Sequence, residues 1–216
     1  MPNNFVQSAI NWGGSGDEFN QSIAIQAAGW GSKNPKNRGG AWTGGNGLEG
    51  GVCQGLVLLY IGSNGNWQNF LTRFTSPSGM AMVRGAMNLS KEADRTGAFG
   101  TGAQMWNNFV DHLSLFGKAF GASYSGQRRF AENDMAAEGV EGFVPLTDGI
   151  YHLLIYFSGG GHSIAYQSRG GSFKIFDPNY GEVQLPDKAA LLAVNQWLLG
   201  NFYAGISRWI LMRYIL

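Results

Sequence analysis

The chain has 216 residues, of which 44% are hydrophobic and 13% aromatic, enough to build the core of one large domain. Charged residues make up 13%, about half the usual share of a soluble domain, and the net charge of +1 gives no electrostatic case for nucleic acid or for an anionic membrane. The single cysteine excludes an internal disulfide and a cysteine-clustered metal centre; His112, His152 and His162 show no metal-ligand spacing, so no metal or cofactor is expected.

The N-terminus, Met1-Pro2-Asn3-Asn4-Phe5, lacks the basic start and apolar stretch of a secretory signal peptide, so synthesis in a cytoplasm is expected. No apolar run approaches the ~18 residues of a membrane span. Residues 1–50 are rich in Gly, Asn and Ser, and residues 39–51 alone hold seven glycines. That composition reads either as a flexible leader or as irregular loops wrapping the cleft of a domain formed by residues 51–216. Trp12, Trp30 and Trp42 favour partial order, because disordered segments are poor in aromatics.

At Cys53 the pattern turns helical, and residues 53–62 are apolar almost all round, as in a helix at the centre of a domain. The spacing predicts further helices over 67–74, 77–94 and 101–119. In the last, Trp106, Phe109, Val110, Leu113 and Phe116 recur every three or four residues, and His112 beside that stripe reads as structural or surface. After residue 122 the period shortens. Residues 151–157 read as a buried strand, 158–161 as a turn, 162–167 as a second strand, 169–171 as a hairpin turn and 172–176 as a third strand ended by Pro178. Asp187 caps a helix through Leu199, and Ile206 to Tyr214 closes the chain as a strand. The sum is an α+β architecture, a helical first half packed on an antiparallel sheet.

Three positions in this layout carry chemistry. Cys53 follows a glycine-dense loop and opens a helix, where unpaired backbone N–H groups and the helix dipole stabilise a thiolate. His162 starts one strand and Asp177 follows the end of its antiparallel hairpin partner, which sets the two side by side at one end of the sheet. The carboxylate can then bond one imidazole nitrogen and leave the other facing a thiol. Taken singly, each has a plain structural reading: a buried thiol, a solvated strand-end histidine, a turn aspartate before proline. The oxyanion hole needs a second donor besides the N–H of Cys53. Asn46 is the nearest side-chain amide in the preceding loop, although it also suits a turn between Gly45 and Gly47; Gln54 points along the helix from the next position.

Three blocks, Gly51-Val52-Cys53-Gln54-Gly55-Leu56, Gly161-His162-Ser163-Ile164-Ala165 and Phe176-Asp177-Pro178-Asn179-Tyr180-Gly181-Glu182, resemble the signature blocks of the YopT/AvrPphB-type cysteine proteases. These are papain-like bacterial effector enzymes of clan CA. The resemblance implies a papain-like fold, with Cys53 as nucleophile, His162 as general base and acid, and Asp177 orienting His162. It also implies delivery from a bacterium by a specialised secretion system and cleavage of a particular protein in the target cell. The same triad serves deamidases, transglutaminases and peptidoglycan amidases, which share an acyl-enzyme on cysteine. A third reading is a non-catalytic binding protein, with Gly-rich loops and tryptophans on a partner and Cys53 merely buried.

Overall fold

The computed structural model describes residues 3–22, 52–96, 102–131, 147–157 and 160–215. Among these, six helices and seven strands follow one another: α1 (Asn4–Asn11), β1 (Ser15–Glu18), α2 (Cys53–Ile61), α3 (Trp67–Thr75), α4 (Pro77–Arg95), α5 (Gly102–Ala119), β2 (Ser123–Ala131), β3 (Gly149–Phe157), β4 (Gly160–Arg169), β5 (Ser172–Asp177), β6 (Gly181–Leu185), α6 (Lys188–Phe202) and β7 (Ile206–Ile215). The strands form one sheet in the order β1-β6-β5-β4-β3-β7-β2, every pairing antiparallel. The α+β class expected from the pattern is the architecture found.

Local chemistry sets the helix boundaries. Asn3, Asn66 and Asp187 are the N-caps of α1, α3 and α6, each side chain accepting the N–H three residues on, at 2.8–2.9 Å. Pro77 begins α4, where its missing N–H costs nothing. In the centre lies α2, whose residues from Leu56 to Ile61 are wholly buried. Burying one such aliphatic side chain is worth about 1.5–3 kcal/mol, so this helix anchors the fold. It packs on β3, β4 and β5 on one side and on α4 on another. Gly55 permits that approach, since a Cβ there would meet Val83 Cγ1 at 2.9 Å.

The sheet is covered on both faces. Leu154, Ala165, Phe176, Ile210 and Met212 look toward α2 to α5. Alternate residues, among them Leu153, Ile155, Ile164, Tyr166, Ile175 and Leu211, look toward α1 and α6. Strand alternation thus supplies two cores, one on each face of the sheet.

Four elements are not visible in the sequence pattern: α1, β1, β2 and β6. Residues 3–18, read as leader or loop, form a helix that buries Phe5, Val6 and Ala9 and a strand paired with β6. Phe19–Ser22 are described as well, whereas residues 23–51, with Trp30 and Trp42, lie outside the described residues. β1 escapes detection because all four residues, Ser-Gly-Asp-Glu, are exposed and polar; only the ladder to β6 makes it a strand. β4 begins at Gly160 rather than at His162, because Gly160 and Gly161 already pair with Phe157 and Tyr156.

Candidate active site

Cys53 is the first residue of α2, and the N-cap Val52 offers no side-chain hydrogen bond. The first N–H groups of the helix therefore receive nothing from a cap and point at whatever charge forms there. From the opposite face of the sheet come His162 and Asp177. β4 and β5 pair in the register Ala165 opposite Phe176. Carried one step on, this sets Asp177 opposite Ile164, so His162, two residues along β4, shares Asp177's face as a diagonal neighbour. His162 Nε2 bonds Asp177 Oδ1 at 2.9 Å, with His162 6% exposed and Asp177 fully buried.

The Cys53 thiol hydrogen-bonds the His162 ring and receives the backbone N–H of Ser163. Since Nε2 is taken by Asp177, the nitrogen left for the thiol is Nδ1. Burial alone raises the thiol's pKa, but the charge of His162 and the hydrogen bonds from its ring and from Ser163 outweigh it and hold Cys53 below its ordinary value. Burial lowers His162, and the charges of Asp177 and then Cys53, with hydrogen bonds to both, more than reverse it, to about 10. A thiolate–imidazolium pair is the charge state that these environments favour.

Asp177 is held from several sides. Its Oδ1 also accepts the Asn179 N–H at 2.8 Å, and its Oδ2 accepts the Tyr203 hydroxyl at 2.8 Å. Tyr203, the C-cap residue of α6, lies flat against the His162 ring, centroids 4.7 Å apart and planes 16° apart. Asn179 turns its Nδ2 to the Tyr203 hydroxyl at 3.2 Å and takes Gln21 Nε2 on its Oδ1 at 2.5 Å. Tyr203 and Gln21 are 26 and 156 residues from Asp177 in sequence, so no local motif could have pointed to them.

The other sequence candidates separate clearly. Asn46, the candidate for the second oxyanion donor, lies outside the described residues. Gln54 turns toward α4 and donates to Ser90 Oγ at 3.1 Å, and that hydroxyl meets His112 Nε2 at 3.1 Å, a structural role for both. His152 is fully buried, bonds Ser163 Oγ at 3.1 Å, and is pushed down to about 3 by burial, so it stays neutral. Among the described residues no three His, Cys, Asp or Glu side chains group so as to hold a metal ion, and no helix is long and apolar enough to cross a membrane. A polar pocket lined by Asn64, Asn69, Gln167, Arg169 and Lys174 opens at the other end of β4 and includes none of the candidate residues.

Comparison with known proteins bears on this arrangement. Residues 144–206, which contain His162 and Asp177, match the peptidase family described as Yersinia/Haemophilus virulence surface antigen. The crystal structure of the Pseudomonas avirulence protein AvrPphB superposes with a TM-score of 0.58 at 18% identity, over 76% of this chain and 92% of that one. The YopT domain of the Pasteurella multocida PfhB2 toxin aligns at 16% identity over 91% of this chain and 88% of that one, with a TM-score of 0.27. No curated protein matches the chain. The AvrPphB likeness shows the papain-like fold, and with the family match it supports a cysteine protease of the YopT/AvrPphB type.

Proposed function

We propose that the chain is a cysteine endopeptidase working through Cys53, His162 and Asp177 by way of a thioester acyl-enzyme. The observation that carries this reading is the hydrogen-bonded line from the Cys53 thiol at a helix N-terminus through the His162 ring to the buried carboxylate of Asp177. In this mechanism the Cys53 sulfur attacks the scissile carbonyl carbon, and the carbonyl oxygen takes the negative charge. The backbone N–H of Cys53 is one oxyanion donor, and Asn46 is the candidate for the second. His162 gives its Nδ1 proton to the departing amine, the C–N bond breaks, and a thioester remains on Cys53. Neutral His162 then takes a proton from water, the hydroxide attacks the thioester, and the thiolate leaves with the imidazolium restored. Asp177 holds the ring in the tautomer and orientation these steps need.

The substrate in this reading is a protein in a target cell, and the enzyme is a bacterial effector delivered there by a specialised secretion system. The virulence and avirulence names of the matched family and of AvrPphB support that setting. Mass spectrometry of target-cell proteins exposed to the active chain and to Cys53→Ala tests the whole reading. New N-termini are expected with the active chain alone; Asp177→Ala should retain weak cleavage and His162→Ala none, since an orienting group usually costs less than the acid–base. A one-dalton mass change or a crosslink in place of chain cleavage would assign the same triad to deamidation or transglutamination. Identical spectra from the active chain and Cys53→Ala would end the enzyme reading.

A further inference from the structure

We propose that Tyr203 is a positioning residue of the active site, a two-point clamp that fixes the Asp177–His162 pair through its hydroxyl and its ring. The inference rests on the triad reading and adds a fourth side chain to it.

The two contacts do different work. The hydroxyl donates to Asp177 Oδ2 at 2.8 Å, while Oδ1 is shared by His162 Nε2 and the Asn179 N–H. With both oxygens engaged, the carboxylate cannot rotate to offer His162 its other oxygen without leaving a buried donor unpaired. The ring lies parallel to the imidazole at 4.7 Å and fixes the imidazole plane, hence the direction of Nδ1 toward Cys53. An aromatic face also favours a cation above it, so the stack suits the imidazolium more than the neutral ring. Tyr203 is only 4% exposed and screens one side of the His162–Asp177 hydrogen bond from water. Its own proton is secure: burial first, then the charge of Asp177, raise the phenol well above its ordinary range, so it remains a donor wherever the enzyme would operate.

The clamp is itself braced. Asn179 Nδ2 donates to the Tyr203 hydroxyl, Asn179 Oδ1 accepts Gln21 Nε2, and the Gln21 N–H bonds Pro178 O at 2.8 Å. The hydroxyl thus receives one hydrogen bond and donates another, which directs its single proton at Asp177 rather than leaving it to rotate. The C-terminus of α6 and the chain after β1 meet on the loop that carries the catalytic carboxylate.

Two substitutions separate the two contacts. Tyr203→Phe keeps the stack and removes the donor; Tyr203→Leu removes both. The readout is the second-order rate of Cys53 alkylation by iodoacetate against pH, which needs no substrate, with Cys53→Ala and His162→Ala as references. That rate falls on the alkaline side because the reagent's carboxylate loses its attraction when the His162 imidazolium deprotonates. Tyr203→Phe is expected to lower the plateau rate about five- to tenfold with its alkaline limb nearly in place. Tyr203→Leu is expected to lower it further and to move the alkaline limb down by about a pH unit or more, because water then screens Asp177 from His162. A general loosening of the fold would not shift that limb selectively. If Tyr203→Leu does not fold, Tyr203→Phe alone decides, and a wild-type rate in it overturns the clamp. Wild-type profiles in both Tyr203 variants, with a large change in His162→Ala, would remove Tyr203 and leave the triad standing. A His162→Ala profile equal to wild type would overturn the triad reading and the clamp with it.

Discussion

Cys53 and His162 perturb one another in opposite senses, and their pH dependence follows from that coupling. Against burial, which raises it, His162's charge and hydrogen bonds hold the thiol below its ordinary value of 9.0; against burial, which lowers it, Asp177 and Cys53 raise His162 from 6.5 to about 10. Between the lowered thiol value and about 10 the thiolate–imidazolium pair dominates. Falling pH protonates Cys53 and removes the nucleophile; rising pH through about 10 deprotonates His162 and removes the acid that serves the leaving amine. A bell-shaped kcat/KM profile on a cleaved peptide is therefore expected, with an acid limb below the free-thiol value and an alkaline limb near 10. Linkage runs the same way for His162: a pKa raised on folding adds stability that is full below 6.5 and is lost as pH climbs through about 10. Asp177→Asn keeps the shape and deletes the charge, so its alkaline limb should lie more than one pH unit lower. An unmoved limb in Asp177→Asn would show that Asp177 does not set the His162 protonation state.

At the level of elements, the edge of the sheet next to the site depends on one glycine. Gly181 opens β6 with φ +123°, a conformation L side chains rarely adopt, and a Cβ there would lie 2.0 Å from Asp17 O across the β1 ladder. Gly181→Ala must therefore break the Asp17–Glu182 and Glu18–Gly181 pairings or strain the backbone, at a cost of about 1–3 kcal/mol. The expected signature is local: faster amide exchange in β1 and a lower denaturant midpoint, with exchange in β3 and β7 nearer the wild-type rate. Uniform wild-type exchange across β1 would refute this account of the edge. The same reasoning explains why β1 and β6 are invisible to pattern reading. A four-residue exposed strand has no apolar alternation, and its partner β6 directly follows the Pro178 turn, so both exist through pairing and not through propensity.

Across the whole molecule, the N-terminal arm ties the two faces and the site together. Phe19, just after β1, makes ring contacts of 5.3–6.1 Å with Trp67, Phe70, Phe74 and Phe176, the aromatic cluster beneath α3. Two residues on, Gln21 braces Asn179 beside Asp177. Phe19→Ala should cost about 2–4 kcal/mol, less than a fully buried phenylalanine at the upper end because Phe19 is only half-buried. It should also reduce turnover in the folded fraction, since the arm supports the Asp177 loop. Chemical denaturation with parallel alkylation of Cys53 checks both; full stability in Phe19→Ala would make the arm an adornment of the domain and not part of its core.

The local pattern alone determined the helices α2 to α6, the hairpin β3-β4-β5 and the strand β7, because each is long, strongly apolar or punctuated by glycine and proline, and these signals act over a few residues. It also determined the His162–Asp177 pairing, since a hairpin's register follows from its turn, and the position of Cys53 at a helix start. Tertiary structure decided the rest. Only packing draws Phe5 and Phe19 out of a glycine-rich segment into ordered cores, inserts β7 between β3 and β2, and covers the second sheet face with α1 and α6. Only packing, too, brings Tyr203 onto His162 and Gln21 onto Asn179. Periodicity reports which face of an element is apolar; which distant side chain meets that face depends on how the whole chain closes.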